Sequence, residues 1–148
     1  MKTKILLLIP ARMGSSRFPG KPLVKIKNKT PMIGYIYNKV KKSKIINDCY
    51  VATCDKQISD YIRSIHGKFV MTSKKHKRAS ERCSEALSKV EKKYKNKFNI
   101  VTMLQGDEPL ISLNMIEKGI IPLIKKKNIL VTNLISKIKN KSEFYDKN

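Results

Sequence analysis

The sequence predicts an α/β protein, built on a mostly parallel sheet with helices on both faces. Short apolar runs alternate along the chain with stretches of helical periodicity, which is the pattern of strand–helix–strand units. Two of these runs end in polar, glycine-containing loops, and ligands bind beyond the carboxyl ends of the strands in such sheets. With 148 residues, of which 41% are hydrophobic, the chain has the size of one domain with a buried core.

Buried strands are predicted where apolar residues run together. The first, residues 5–9, is bounded by Pro10 and is too short for the apolar region of a signal peptide. The other strand candidates are residues 49–53, 69–71, 100–104 and 129–134. No run approaches the ~20 apolar residues that a membrane span needs, so we expect no membrane partner.

Helices are predicted in the intervals between the strands. Pro31 suits the first turn of the first helix, Asp55 is a candidate cap for the second, and Gly67 ends that helix. The third helix is predicted over residues 80–92, and Ser112 caps the fourth. Each segment carries apolar residues three and four positions apart, which places them on one helix face.

The formal net charge is +22, from 33 Lys and Arg against 11 Asp and Glu. Lysine is scattered along almost every segment, and no stretch interleaves basic with aromatic residues. We therefore interpret the charge as solvated surface that favours small anionic substrates, and we expect no nucleic-acid partner. A basic nucleic-acid-binding module stays open as an alternative of a different class. The three cysteines form no paired motif, which favours reduced thiols and a cytoplasmic location.

The loop after the first strand, PARMGSSRFPGKP at residues 10–22, is not one of the common phosphate loops. A Walker A loop needs GxxxxGK followed by Ser or Thr, whereas five residues separate Gly14 from Gly20 and Pro22 follows Lys21. The dinucleotide pattern GxGxxG is also absent.

Three cations remain in this loop: Arg12, Arg17 and Lys21. Gly14 allows the backbone to approach a ligand, and successive N–H groups of such a turn form an anion-binding nest. Arginine offers forked donors that match phosphate or carboxylate oxygens. The loop therefore predicts an anion clamp, with an ordinary solvated basic loop as the alternative.

The loop after the fourth strand candidate, QGDEP at residues 105–109, supplies the opposite charge. Asp107 and Glu108 directly follow a buried strand in a chain that has few acidic residues. Mg²⁺ binds through one or two carboxylates together with substrate phosphates, so Asp107 is a candidate metal ligand. A simple turn is the alternative. A cationic loop and a metal carboxylate on one sheet edge suit nucleotidyl transfer at an α-phosphate.

The run PARMGSSRFPGKPL at residues 10–23 is similar to the opening signature of sugar-acid cytidylyltransferases. The match is best with the 3-deoxy-manno-octulosonate (KDO) cytidylyltransferase family, also called the CMP-KDO synthetases. VATCD at residues 51–55, residues 71–82 and QGDEPLI at residues 105–111 agree in order and spacing. The sialic-acid branch usually differs at positions 17 and 22, and the spore-coat branch typically lacks the QGDEP form.

The resemblance implies a Rossmann-like nucleotidyltransferase fold and a Mg²⁺-dependent reaction on CTP. In that family the anomeric hydroxyl of the sugar acid attacks the α-phosphate, which releases pyrophosphate and forms the CMP-sugar. For this chain it implies CMP transfer to KDO in lipopolysaccharide biosynthesis. A cytidylyltransferase for another acidic sugar, of the sialic-acid or spore-coat type, stays open as an alternative.

The resemblance also implies roles for individual residues. Arg12 and Lys21 hold the triphosphate and stabilise charge on the leaving pyrophosphate, and Asp107 binds Mg²⁺. Arg17 is the candidate for substrate or phosphate charge. The remaining nucleotide-site residues are Ala11, Ser15, Ser80 and Gln105, of which Gln105 also contacts the sugar acid.

Two departures from the family pattern stand out. Arg78 and Ala79 occupy positions where the family usually has a small residue and glycine. The resemblance also covers only the N-terminal two-thirds of family members, so residues 1–148 are expected to be one C-terminally incomplete domain. The remaining third normally carries a second metal-binding aspartate, most sugar-acid contacts and the homodimer interface. An inactive fragment that still binds CTP is therefore a further alternative.

Overall fold

A four-stranded parallel sheet forms the centre of the protein. The computed structural model describes residues 3–14, 18–95, 97–137 and 140. The strands are β1 (Ile5–Ala11), β2 (Asp48–Thr53), β3 (Phe69–Met71) and β4 (Ile100–Met103). Their order across the sheet is β3-β2-β1-β4, and each neighbouring pair is parallel. Both predicted ligand loops therefore lie at the same edge, because they follow the neighbouring strands β1 and β4.

Within the described ranges, four α-helices cover the two faces of this sheet, as predicted. They are α1 (Met32–Val40), α2 (Lys56–Ser64), α3 (Ala79–Tyr94) and α4 (Leu113–Lys125). One short 3-10 helix, Lys21–Leu23, ends the first loop, and a second, Lys27–Lys29, lies just beyond it. Ser112 caps α4 as expected, since its hydroxyl accepts a hydrogen bond from the Met115 N–H at 3.2 Å.

The central strand β1 is buried along its whole length because helices lie on both of its faces. Alternate residues of β1, such as Leu7, belong to the core formed with α1, α2 and α4. Leu6 and Leu8 belong to the second core, which α3 supplies with Ala86 and Val90. The period-two alternation of the strand thus joins the two helical layers to one rigid sheet.

At the C-terminus of α2, the left-handed residue is one position before the glycine that the sequence predicts to end the helix. Gly67 does not adopt the left-handed conformation; His66 does, with a φ of 54°. The His66 N–H donates to Arg63 O at 2.9 Å and the Gly67 N–H donates to Ile62 O at 2.8 Å, which is a Schellman motif. A Cβ on Gly67 would lie 2.7 Å from Ile62 Cγ2, so glycine is required here by packing.

The fifth strand candidate, residues 129–134, is wrong. This segment has no strand partner and lies along α4 instead. Thr132 Oγ1 donates to Gly119 O at 2.7 Å, and the Leu134 side chain lies beside the same glycine. An apolar run predicts extended backbone, but the sequence cannot show whether a neighbouring strand is available for a hydrogen-bond ladder. Leu130 and Val131 are 87% and 83% exposed.

None of the helices in the described residues has the length and apolar character that a membrane span requires.

Candidate active site

A pocket of about 230 Å³ lies at the carboxyl edge of the sheet. Its walls come from the end of β1, the 3-10 helix at Lys21, the segment before α3 and the loop after β4. The lining is strongly basic, with one carboxylate, Asp107. The basic side chains that line it are Arg12, Lys21, His76, Lys77, Arg78 and Arg82.

Five of the residues predicted from the sequence meet around this pocket. They are Ala11, Arg12, Lys21, Gln105 and Asp107. Their roles stay predictions, but the tertiary structure brings together residues that are almost a hundred positions apart.

Of the other predicted site residues, only Ser80 lies in the described part of the chain, and it is not in the pocket lining. Ser80 is exposed on the first turn of α3, and the two residues that precede it, Arg78 and Ala79, line the pocket. Ser15 and Arg17 fall outside the described residues.

An ion pair joins the two loops that carry the predicted charges. Lys21 Nζ lies 2.8 Å from Asp107 Oδ2, and the two side chains are 33% and 45% exposed. An ion pair of this exposure contributes about 0–1 kcal/mol to stability, because water screens it and both side chains lose freedom. A phosphate on Lys21 or a cation on Asp107 can therefore replace the partner at small cost.

Glycine at position 106 allows the same two loops to touch. A Cβ on Gly106 would lie 2.9 Å from the backbone oxygen of Pro10 and 3.3 Å from Ile33 Cδ1. Any side chain here would push the loop after β4 away from β1. The close approach keeps Gln105 and Asp107 beside the end of β1.

The carboxylate of Asp55 supports the first loop rather than α2. Asp55 occupies the cap position of α2 as predicted, but its side chain makes no hydrogen bond to that helix. Instead, Asp55 Oδ2 accepts a hydrogen bond from the Met13 N–H at 2.8 Å. Through this contact, the residue two positions after β2 holds the backbone of the loop that carries Arg12.

Arg82 is a buried cation that the sequence argument did not assign to the site. It is 3% exposed, and its guanidinium donates to Thr72 Oγ1 and, at 3.4 Å, to Ser73 O. In the described part of the chain it makes no ion pair with a carboxylate. Because arginine keeps its proton in proteins, Arg82 places a permanent, uncompensated positive charge in the pocket wall.

A signal for Arg82 exists in the sequence. Arg82, Ala86 and Val90 are four residues apart, so they share the face of α3 that packs on the sheet. A charged residue on an apolar helix face indicates a buried ionic or ligand contact. The spacing therefore predicts that Arg82 is on the sheet-facing side of α3, but not that it lies at the pocket.

His76 is held at the pocket by a carboxylate on α3. Its Nε2 hydrogen-bonds Glu85, which also accepts from Lys89 Nζ at 2.7 Å and from the Ser73 N–H at 2.8 Å. The pKa of Glu85 is lowered to about 2, mainly by the hydrogen bond from Lys89 and next by the one from the Ser73 N–H. Glu85 is thus ionised at neutral pH and orients the imidazole at the pocket wall.

The N-terminus of α3 is fixed by Glu81. Its carboxylate accepts hydrogen bonds from the N–H groups of Arg78 at 3.2 Å and Lys77 at 3.1 Å. The contact with Arg78 is the main cause that lowers the pKa of Glu81. A carboxylate in the first turn also interacts favourably with the helix dipole. Lys77 and Arg78 are therefore presented to the pocket by an anchored backbone.

The two acidic residues of the second loop lie in different environments. Asp107 lines the basic pocket, whereas Glu108 borders a groove of about 580 Å³ between β4, α4 and residues 130–136. That groove is mainly apolar, and Val101 and Met103 of β4 are 41% and 45% exposed there. Only Asp107 is thus placed to serve a ligand in the pocket.

The oxygen ligand that the pocket offers, the Asp107 carboxylate, fits Mg²⁺ only together with ligands from a bound molecule. No group of three or more His, Cys, Asp or Glu side chains that could enclose a metal ion occurs within the described ranges. Asp107 offers one carboxylate, and Mg²⁺ is commonly held by one or two carboxylates with substrate phosphates and water as the other ligands. The residues present therefore fit Mg²⁺ when it arrives with a polyphosphate.

A parallel sheet with helices on both faces and a cationic pocket at its carboxyl edge defines an α/β protein with a ligand site suited to anions. The chain belongs to the cytidylyltransferase family, whose model matches residues 6–148. This confirms the family and the fold that the sequence motifs predicted.

The relatives and a solved structure agree with this membership. The chain is 42% identical over 145 residues to 3-deoxy-manno-octulosonate cytidylyltransferase of Thermodesulfovibrio yellowstonii, covering 97% of this chain and 56% of that protein. It is 44% identical over 115 residues to 8-amino-3,8-dideoxy-manno-octulosonate cytidylyltransferase of Shewanella frigidimarina, covering 78% of this chain and 45% of that protein. The structure of CMP:2-keto-3-deoxy-manno-octonic acid synthetase complexed with CTP matches with a TM-score of 0.77 and 32% identity, over 86% of this chain and 50% of that one.

The chain thus spans about half the length of the curated relatives it matches, which is less than the two-thirds expected from the motifs.

Proposed function

We propose that this chain forms the nucleotide-binding part of a cytidylyltransferase that transfers CMP from CTP to KDO. The observation that carries the proposal is the pocket at the carboxyl edge, where Arg12, Lys21 and Arg82 surround one carboxylate, Asp107. The names of the relatives give the nucleotide and the sugar acid. Because the chain spans about half of those relatives, nucleotide binding and turnover are separate claims.

The pocket charge suits the triphosphate of CTP. Arg12 and Lys21 lie on the loop after β1 and bind phosphate oxygens, as the sequence motif implies. Arg82 adds a charge that is already desolvated, so its interaction with an anion is screened less than that of a surface lysine. The net charge of +22 raises the local concentration of such a ligand.

Asp107 is the residue that would hold Mg²⁺, together with phosphate oxygens of the nucleotide. The chemistry that Mg²⁺ supplies when bound is neutralisation of phosphate charge. In that arrangement Lys21, which pairs with Asp107 in the structure, would bind the triphosphate, and Asp107 would be a ligand of the cation. Each side chain would exchange a solvent-exposed ion pair for a contact with a more highly charged ligand.

The proposed reaction is a displacement at phosphorus. The anomeric hydroxyl oxygen of KDO forms a bond to the α-phosphorus, the bond to the β-phosphate oxygen breaks, and the hydroxyl proton passes to solvent. Arg12 and Lys21 stabilise the charge that develops on the departing pyrophosphate. Gln105 lines both the pocket and the apolar groove, and its contact with the sugar acid is the role that the family resemblance implies.

The wider setting follows from this chemistry. We infer a role in lipopolysaccharide biosynthesis, in the cytoplasm, as in the family that the motifs resemble. A homodimer is the assembly that the same family implies, with its interface in the part of the relatives that this chain does not span.

The test separates binding from turnover. Calorimetric titration with CTP, in the presence and absence of MgCl₂, should show binding that ATP and GTP do not match. Pyrophosphate release is then measured with KDO, with 8-amino-3,8-dideoxy-manno-octulosonate and with sialic acid, each with and without the C-terminal half of the Thermodesulfovibrio relative. No CTP binding refutes the proposal.

Three further outcomes distinguish the alternatives. CTP binding without turnover on any sugar, even with the added half, indicates a CTP-binding inactive fragment. Turnover on the 8-amino sugar alone selects the substrate named for the Shewanella relative. Tight binding to duplex or single-stranded nucleic acid at physiological salt, without CTP binding, favours the basic nucleic-acid-binding module.

A further inference from the structure

We propose that Lys39 of α1 is a positioning residue that holds the loop bearing Asp107 in place. Lys39 Nζ donates to Pro109 O at 2.8 Å and to Ile111 O at 2.7 Å. The same nitrogen lies 4.7 Å from the centroid of the Tyr35 ring. The two hydrogen bonds join α1 to carbonyls that are 70 and 72 residues away in the sequence.

The Lys39 ammonium contacts both the second loop and an aromatic ring. Two of its N–H groups donate to backbone carbonyls, and the nitrogen lies within cation–π distance of the Tyr35 ring. Its side chain is half-buried, unlike most lysines of this chain. Such an ammonium is a structural clamp and not a cation offered to a ligand.

The clamp stands on a rigid support. Its neighbours on α1, Ile36 and Val40, are 0% and 1% exposed and belong to the core against the sheet. Two convergent hydrogen bonds from such a point fix the carbonyls of residues 109 and 111 relative to β1. Charge-assisted hydrogen bonds are roughly twice as strong as neutral ones, and solvent screens a half-buried pair of them less than it screens the exposed ion pair of Lys21.

The loop has other attachments, but they act elsewhere. Gly106 packs against β1 at the start of the loop, and the Ile111 side chain packs against the core at its end. Asp107 itself is held only by the exposed pair with Lys21 in the described part of the chain. Once that pair opens for a ligand, the position of Asp107 depends on the backbone that Lys39 clamps two residues later.

The functional consequence rests on the proposed function, in which Asp107 binds Mg²⁺ with the nucleotide. Residues that orient a metal ligand from the outer shell typically change metal affinity by roughly 10–100-fold when they are replaced. Loss of the clamp should therefore weaken Mg²⁺-dependent CTP binding, and should leave Mg²⁺-free CTP binding near its original value.

Two measurements test this on the full chain. Hydrogen exchange of the amides of residues 106–108 and 110–112 reports the loop, and calorimetry with and without MgCl₂ reports the metal-dependent gain in CTP affinity. The variants are Lys39→Met, which keeps length but not donors, and Lys39→Arg, which keeps the donors. Lys42→Met, an exposed lysine just beyond α1, is the matched control.

The expected result is at least ten-fold faster loop exchange and about ten-fold loss of the Mg²⁺-dependent gain in Lys39→Met. Lys39→Arg should restore both, and Lys42→Met should match the wild type. Unchanged loop exchange in Lys39→Met, or equal effects of Lys39→Met and Lys42→Met, overturns the inference. If the wild-type chain does not bind CTP, the proposed function fails, while loop exchange still decides whether Lys39 holds the loop.

Discussion

Replacing Lys21 with methionine removes one cation from the pocket and leaves the fold almost unchanged. The pair with Asp107 spans 2.8 Å, but its side chains are 33% and 45% exposed. Solvent screening limits its contribution to stability to about 0–1 kcal/mol. At about 2–4 °C per kcal/mol for a chain of this size, the melting temperature of Lys21→Met should fall by less than about 4 °C.

The effect on nucleotide binding should be much larger. A charge-assisted hydrogen bond to phosphate contributes about 1.5–3 kcal/mol, and each 1.4 kcal/mol is ten-fold in affinity. We therefore expect CTP affinity to fall by roughly 10–150-fold, measured by calorimetry in MgCl₂. The control is Lys126→Met, which removes an exposed lysine at the C-terminus of α4 and should leave affinity unchanged.

Two results would refute this reasoning. Equal losses of CTP affinity in Lys21→Met and Lys126→Met would show that only overall charge matters, and that the pocket is not the binding site. A large fall in stability with unchanged affinity would show that Lys21 is a structural residue.

Three further predictions concern the pocket and the neighbouring apolar groove. Since the folded pKa of Glu85 is lowered to about 2, its stabilising contribution is present above about pH 5 and is lost as pH falls toward 2. The free energy of unfolding of Glu85→Gln, measured with urea, should therefore be lower than that of the wild type at pH 7 and converge with it at low pH. A difference between the two free energies that does not change with pH contradicts this prediction. Gly106→Ala should destabilise the chain by about 1–3 kcal/mol and weaken CTP binding, because its Cβ would meet a backbone oxygen at 2.9 Å. Gly14→Ala is the control for stability, because a Cβ at Gly14 would have nothing within 4 Å. Equal losses of stability in the two variants refute the steric argument. The double variant Val101→Thr, Met103→Thr should reduce the fluorescence of a bound hydrophobic dye and leave CTP affinity unchanged, since both side chains are exposed in the apolar groove. Unchanged fluorescence excludes the groove as the dye site.

Local patterns predicted most of the framework. The first four strand candidates lie within one residue of the observed ends, apart from β1, which extends to Ala11 and includes Pro10. Burial on both faces favours continuous apolar runs, so these strands were readable. The candidate at residues 129–134 was equally apolar, but a strand exists only where a partner edge is within reach.

The site was predictable to the extent that its residues lie in loops directly after strands. Arg12, Lys21 and Asp107 are of this kind, and the parallel order of β1 and β4 brings them together. Arg82 and His76 were missed as site residues because their approach to the pocket depends on how α3 packs on the sheet. Ser80, which a motif implied, is turned out of the pocket lining by the same packing.

The sequence by itself determined the class of fold, the family and the two charged loops, because these follow from local periodicity and from residue types at short spacing. Only the tertiary structure decided that Lys21 pairs with Asp107, that Arg82 is a buried charge in the pocket wall, and that Lys39 clamps the second loop. Each of these contacts joins residues from separate elements. Their distances depend on sheet order and helix packing, which the burial of apolar side chains sets for the whole chain.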